Sequence, residues 1–239
     1  MVTSRTVLFV HGAFQGGWVW DKVIPLLSSN YHVLAPTLTG LDRESEERMA
    51  TTGLHDHIAE ICRIIDENKL KDIILVGHSY GGLVISCVAG LRSSKIRQLI
   101  YVDALIPGEN DSLLKMVGPE NAQFFLESAK KGQGWKIDPF PPGAFGLTKE
   151  DDIAIANRFH CSQSLQCFTE EVSLPTQDQL ASMKISFILC RQSSPLMKEL
   201  AKKAKDLEWD CYEMEVPHCP MITHSWELAS LLQTIFHHQ

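Results

Sequence analysis

Apolar residues fall along this chain in short runs separated by longer segments of helical spacing. Thr6–Val10, His32–Ala35, a run opening at Ile73, Ile96–Val102, Ile185–Cys190 and Asp210–Glu215 have the length and β-branched content of strands, several of them buried. Between them, Trp18–Leu27, Leu54–Asn68, a segment reaching Leu91, Pro195–Leu207 and Trp226–Phe236 are helical in pattern. In Leu54–Asn68 the isoleucines at 58, 61, 64 and 65 share one side, as an amphipathic helix requires. Pro36–Met49 is polar and irregular. Strands alternating with helices at this spacing predict a parallel sheet with right-handed crossovers.

That rhythm breaks from Pro107 to about Met183. Gly132-Gln-Gly134 and Pro139–Ala144 read as loops, and Asn121–Lys130 and Lys149–Phe159 as short helices. The expected architecture is therefore α/β. A mostly parallel, twisted sheet of about six strands carries helices on both faces. Its core is split into residues 1–106 and 184–239 by a mostly helical cap insertion, 107–183.

One junction carries chemistry. Gly77-His-Ser-Tyr-Gly81 fits G-x-S-x-G between an apolar strand and a helix. So sharp a reversal strains the backbone at the central residue and needs small neighbours, leaving the Ser79 hydroxyl at the top of the sheet. A second glycine-rich loop, His11–Gly17, follows the first strand and marks close backbone approach.

Composition narrows the function. The 239 residues carry a net charge of −7 with no basic stripe, which argues against nucleic acid as a partner. Seven cysteines without a C-x-x-C pair fit reduced, mostly buried thiols. The opening residues 1–6 show neither the apolar stretch nor the cleavage site of a signal peptide, and no apolar run is long enough to span a bilayer. The expectation is a cytoplasmic protein with no membrane partner; a homodimer is left open. His55-Asp56-His57 looks metal-like, but neighbours within one helix point apart, so no metal is expected there. His237-His238 reads as a disordered end, and no cofactor is called for.

His11-Gly-Ala13, Gly77-His-Ser-Tyr-Gly-Gly82, Tyr101-Val-Asp-Ala-Leu-Ile-Pro107 and the late His218 together resemble the α/β-hydrolase superfamily. More narrowly, they are similar to its small plant-type methylesterase and hydroxynitrile lyase branch and that branch's bacterial relatives. The likeness covers residues 6–107 and 184–237, and the cap only in outline. It implies Ser79 as nucleophile and His218, just past the last strand, as its base, with His224 as a weaker rival. It implies an oxyanion hole from the backbone amides of Ala13 and Tyr80, with His11 and His78 packed beneath.

The acid departs from that pattern. The turn after Ile185–Cys190 reads Arg191-Gln-Ser-Ser-Pro195, with Ser193 or Ser194 where a carboxylate is expected. Asp103, ending the neighbouring strand, is the favoured substitute, although relatives with the usual acid also carry an Asp there as a structural residue. A lyase of this branch carries Thr and Lys where this chain has Gly12 and Cys219, so the resemblance favours an esterase. Phe14, Leu105, Phe124 and Trp135 are the expected substrate-binding residues, with Tyr80, Phe125, Phe140 and Phe145 as further apolar candidates. The expected activity is a serine hydrolase acting on a small-molecule carboxylic ester with a hydrophobic body. The alternatives are a binding or regulatory protein with a degraded triad, or a lactone or C–C bond hydrolase.

Overall fold

The computed structural model describes residues 5–42 and 46–237. Its strands, in chain order, are β1 (Thr6–Val10), β2 (His32–Leu34), β3 (Ile73–His78), β4 (Ile96–Val102), β5 (Lys136–Ile137), β6 (Gln163–Ser164), β7 (Lys184–Cys190) and β8 (Asp210–Met214). Six of them form one sheet in the order β2-β1-β3-β4-β7-β8, and every pairing in it is parallel. β5 and β6 pair antiparallel on their own. The central strands read as unbroken apolar runs because both faces are covered: every residue of β1 and β3 is buried.

The longer helices are α1 (Leu54–Glu67), α2 (Gly81–Leu91), α3 (Pro119–Lys131), α4 (Glu150–Phe159), α5 (Pro195–Asp206) and α6 (Ser225–His237). On α1 the buried side chains Leu54, Ile58, Ile61, Cys62 and Ile65 form a single stripe, whereas α2 is buried from Gly81 to Ala89. Helix α2 is thus an interior helix with no polar face. Among the described residues no helix is long and apolar enough to cross a membrane.

Three local expectations change. Trp18–Leu27 is not one helix but a 3₁₀ turn, Gly17–Trp20, followed by a short helix, Ile24–Leu27. Pro25 lacks the amide that a continuous helix would use and is tolerated only in a first turn. The end of the segment read as irregular, Pro36–Met49, enters a helix, Glu46–Thr51. His237 is the last residue of α6, its Nε2 3.4 Å from the Tyr31 hydroxyl. His238 lies outside the described residues.

Residues 107–183 carry α3, α4 and the β5–β6 pair. They lean on the sheet-bearing part through a polar anchor: Lys22 Nζ lies 2.7 Å from Asp152 Oδ1 on α4, whose side chain is 4% exposed. Lys22 also donates to the Ile222 carbonyl, so one ammonium joins three separate parts of the chain.

The reversal from β3 into α2 fixes the geometry of everything above the sheet. A Cβ on Gly81 would lie 2.7 Å from the Val10 carbonyl oxygen, and one on Gly82 would overlap the Leu105 backbone. Only glycine lets α2 start so close to the ends of β1 and β4. Gly82→Ala is therefore expected to lower stability by about 1–3 kcal/mol, the usual range for overpacking. Gly143→Ala, where a Cβ meets nothing within 4 Å, should be close to neutral. Urea unfolding of the two variants beside wild type checks this, and equal effects would contradict it.

Candidate active site

Ser79 sits at the reversal with φ +52°, a left-handed conformation unusual for a residue with a side chain. The Ser79 carbonyl holds it there by accepting from the amides of Gly82 and Leu105, both at 3.0 Å. Asp103 (φ +45°) and Phe14 (φ +66°) share this conformation, so three strained residues from three strand ends converge. Ser79 and Phe14 border a cavity of about 860 Å³, together with Gly12, Ala13, Leu105 and His218, and Asp103 lies buried behind His218. Ala13, Ser79, Ser193 and His218 are half-buried, within reach of a bound molecule.

His218 follows β8, and its Nδ1–H donates to Asp103 Oδ2 at 2.6 Å. The Asp103 side chain is fully buried, and its other oxygen, Oδ1, accepts from the Cys190 amide at 3.0 Å. Each carboxylate oxygen thus has a donor, as a buried charge requires. Ser193 Oγ lies 3.3 Å from the same His218 Nδ1. One N–H serves mainly its nearer acceptor, and the carboxylate is nearer and charged. With its proton on Nδ1, His218 keeps Nε2 as a free lone pair. His224 does not border the cavity; its Nδ1 lies 2.9 Å from Thr223 Oγ1, and its carbonyl accepts the Leu228 amide in α6.

The loop after β1 shows which amides are free. Gly12 N–H donates to Gln15 Oε1 at 3.2 Å, and Phe14 N–H to Gln163 Oε1 at 2.9 Å. Between them the Ala13 amide donates to no acceptor among the described residues. The same holds for the Tyr80 amide, which lies at the N-terminus of α2, where the helix dipole favours negative charge.

Three fully buried histidines surround this centre. Burial pulls His11 down to about 4, against a smaller opposing effect of its bond to the Gly12 carbonyl. Its Nδ1–H donates to that carbonyl at 2.9 Å, and its Nε2 accepts from the Leu38 amide at 3.0 Å. His78 is held well below the usual imidazole range by burial and by neighbouring His218, and its Nε2–H donates to the His218 carbonyl at 2.9 Å. His57, also lowered by burial, donates Nε2–H to Thr39 O and accepts the Tyr80 hydroxyl on Nδ1 at 2.8 Å. His55, two positions earlier on α1, is exposed and bonded to Glu171 O, so the two histidines face opposite environments.

The cavity wall is aromatic on one side. Phe14, Phe125, Phe140 and Phe145 border it, and Phe140 packs edge-on to Phe14 and Phe125 with centroids 5.9 and 5.6 Å apart. Leu105 borders it as expected, but Phe124 and Trp135 do not. Successive residues on a helix point about 100° apart, so burial of Phe125 turns Phe124 outward, 52% exposed, against the outer face of Phe140. Trp135 belongs to the turn before β5, where its carbonyl accepts the Leu165 amide. The Tyr80 side chain is buried against His57 rather than facing the cavity. Gln15, Gln163 and the Cys190 amide were not legible in the sequence as parts of this centre.

A model of the alpha/beta hydrolase family matches residues 7–228. The carbendazim hydrolyzing esterase of Nocardioides sp. (strain SG-4G) is 42% identical over 239 residues, covering 95% of this chain and 98% of that protein. Salicylic acid-binding protein 2 of Nicotiana tabacum is 25% identical over 261 residues, covering 99% of each. Among solved structures, an extracellular alpha/beta-hydrolase from a Paenibacillus species superposes with a TM-score of 0.82 at 17% identity, over 96% of this chain and 98% of that one. That last likeness concerns the fold alone.

The buried imidazoles set a pH dependence of stability. His11 titrates near 6.5 when unfolded and at about 4 when folded, so as pH falls the unfolded chain takes up the proton first. Stability is therefore expected to fall from about pH 6.5 towards pH 4, by about 3 kcal/mol for this group alone. Calorimetric Tm values between pH 7.5 and 4.5 check this. The slope should be shallower in His11→Asn, and an unchanged slope would contradict the assignment.

Proposed function

The chain belongs to the α/β-hydrolase family and is an esterase-like hydrolase, and from that premise we propose that it cleaves carboxylic esters with a hydrophobic body through an acyl-enzyme on Ser79. The observation that carries this is the 2.6 Å contact of His218 Nδ1 with Asp103, because it supplies the carboxylate missing after β7. In the forward step Ser79 Oγ attacks the ester carbonyl while His218 Nε2 takes its proton. The buried Asp103 carboxylate holds the Nδ1 tautomer and stabilises the imidazolium that forms. The amides of Ala13 and Tyr80 receive the oxyanion, and collapse expels the alcohol with the proton returned from His218. Water, deprotonated by the same imidazole, then releases the acid and regenerates Ser79.

Phe14, Leu105, Phe125, Phe140 and Phe145 would hold the apolar part of the substrate, which suits a compound with an aromatic or alkyl body. Residues 107–183 would serve as the cap of this site. Relatives named as a carbendazim hydrolyzing esterase and a pyrethroid hydrolase support a small-molecule ester or ester-like substrate. The seven free thiols, six of them buried, fit a reducing, cytoplasmic setting. The alternative of a non-catalytic binder rests on the carboxylate missing after β7, and the Asp103–His218 contact counts against it.

Ser79→Ala should abolish both p-nitrophenyl acetate hydrolysis and the single-adduct mass shift produced by a fluorophosphonate. Asp103→Asn should lower kcat by roughly 10³–10⁴-fold. Ser193→Ala, which loses one weak contact, should cost no more than about tenfold. The reverse ranking of the last two would assign the orienting role to Ser193. A loss below about tenfold in Asp103→Asn would remove Asp103 from the mechanism.

A further inference from the structure

The proposed oxyanion donor Ala13 lies on a loop whose two neighbouring amides are each held by a glutamine. Gln15 belongs to the loop itself: its Oε1 accepts Gly12 N–H, and its Nε2 donates to Cys219 Sγ at 3.3 Å, beside His218. The other glutamine comes from a part of the chain 149 positions away. Gln163 of β6 accepts Phe14 N–H at 2.9 Å, while the Cys161 amide donates to the Phe14 carbonyl at 3.0 Å. Both polar groups of Phe14 are thus fastened to the β6 segment, and Phe14 is the residue held at φ +66°. Its φ sets the direction of the Ala13–Phe14 peptide plane and hence the seat of Ala13.

The chemistry of Gln163 points the same way. It is 1% exposed, and its Nε2 is buried without a hydrogen-bond partner among the described residues, with only the Cys167 thiol nearby. A residue needed only to fill this space would be more stable without an orphaned donor. Its Oε1 has a clear task, because the Phe14 amide would otherwise be unpaired in a dry site or turned towards the cavity.

We propose that Gln163 is a positioning residue for the oxyanion hole: it holds Phe14 so that Ala13, and not Phe14, presents its amide to the developing oxyanion. The inserted segment then contributes to catalysis and not only to enclosure. This inference rests on the reading of Ser79 as a nucleophile served by that amide.

The test compares wild type with Gln163→Met, which removes the acceptor at similar volume, and Gln163→Glu, which keeps an oxygen at the same reach. The readouts are Tm, kcat and KM for p-nitrophenyl acetate, and inhibition by an aryl trifluoromethyl ketone, whose hemiketal adduct with a serine carries the oxyanion. The expected result for Gln163→Met is a kcat lower by about 10–100-fold, less than the loss of a whole donor. KM should stay within about twofold, the ketone should weaken by a factor similar to the loss in kcat, and Gln163→Glu should recover most of both. If Gln163→Met does not fold, Gln163→Asn, too short to reach Phe14, takes its place with the same expectation. A lower Tm with kcat and ketone affinity within threefold of wild type would overturn the inference while leaving Ser79 in place. Absence of both turnover and fluorophosphonate adduct in wild type would sink the reading beneath it, and this inference with it.

Discussion

A carboxylate cut off from water must find every partner inside the fold, and much of this molecule is arranged around meeting that demand for Asp103. Its two oxygens draw in the Cys190 amide at the end of β7 and the His218 ring past β8. Three adjacent strand ends are thereby tied at one point. Leaving such a charge unpaired would cost several kcal/mol, so the distance between Asp103 and His218 is not free to drift. The ring of His78 packs 4.6 Å from that of His218 and bonds its carbonyl, fixing the imidazole from below. What reaches the cavity is the one nitrogen not needed for structure.

Much of the frame was legible in the sequence. Buried parallel strands announce themselves as continuous apolar runs, which makes β1, β3, β4 and β7 legible, while the half-exposed edge strands β2 and β8 are legible only from their place in the alternation with helices. The junction at Ser79 was legible for the same reason: few sequences can turn from strand to helix so tightly, and those that do need glycine at fixed offsets. Proline broke the expected Trp18–Leu27 helix, a local rule that overrode the periodicity around it.

The site was legible in part. Ser79, His218, Ala13, Phe14 and Leu105 meet at one cavity, with Asp103 buried behind His218, each flagged by a motif or by its place after a strand. Phe124 does not join them, because a helix face cannot be assigned from two adjacent phenylalanines without knowing what packs on it, and Trp135 does not because it sits in the turn before β5. The glutamines left no trace. Their partners lie 204 positions away for the Gln15–Cys219 contact and 149 for Gln163–Phe14, and a side-chain amide bonding a distant backbone group leaves no periodicity to read.

The anchor between Lys22 and Asp152 bears on how molecules come and go. Swinging residues 107–183 away as one body would expose a buried carboxylate, part it from its ammonium and pull β6 off the Phe14 backbone. Passage by the rim of the cavity, where Asn121, Gly143, Ala144, Gln192, Ser194 and Pro195 are exposed, would leave those bonds intact. A guest entering by that gate would meet the aromatic wall on its way to Ser79. The products would leave by the same door while the Lys22–Asp152 anchor stays shut.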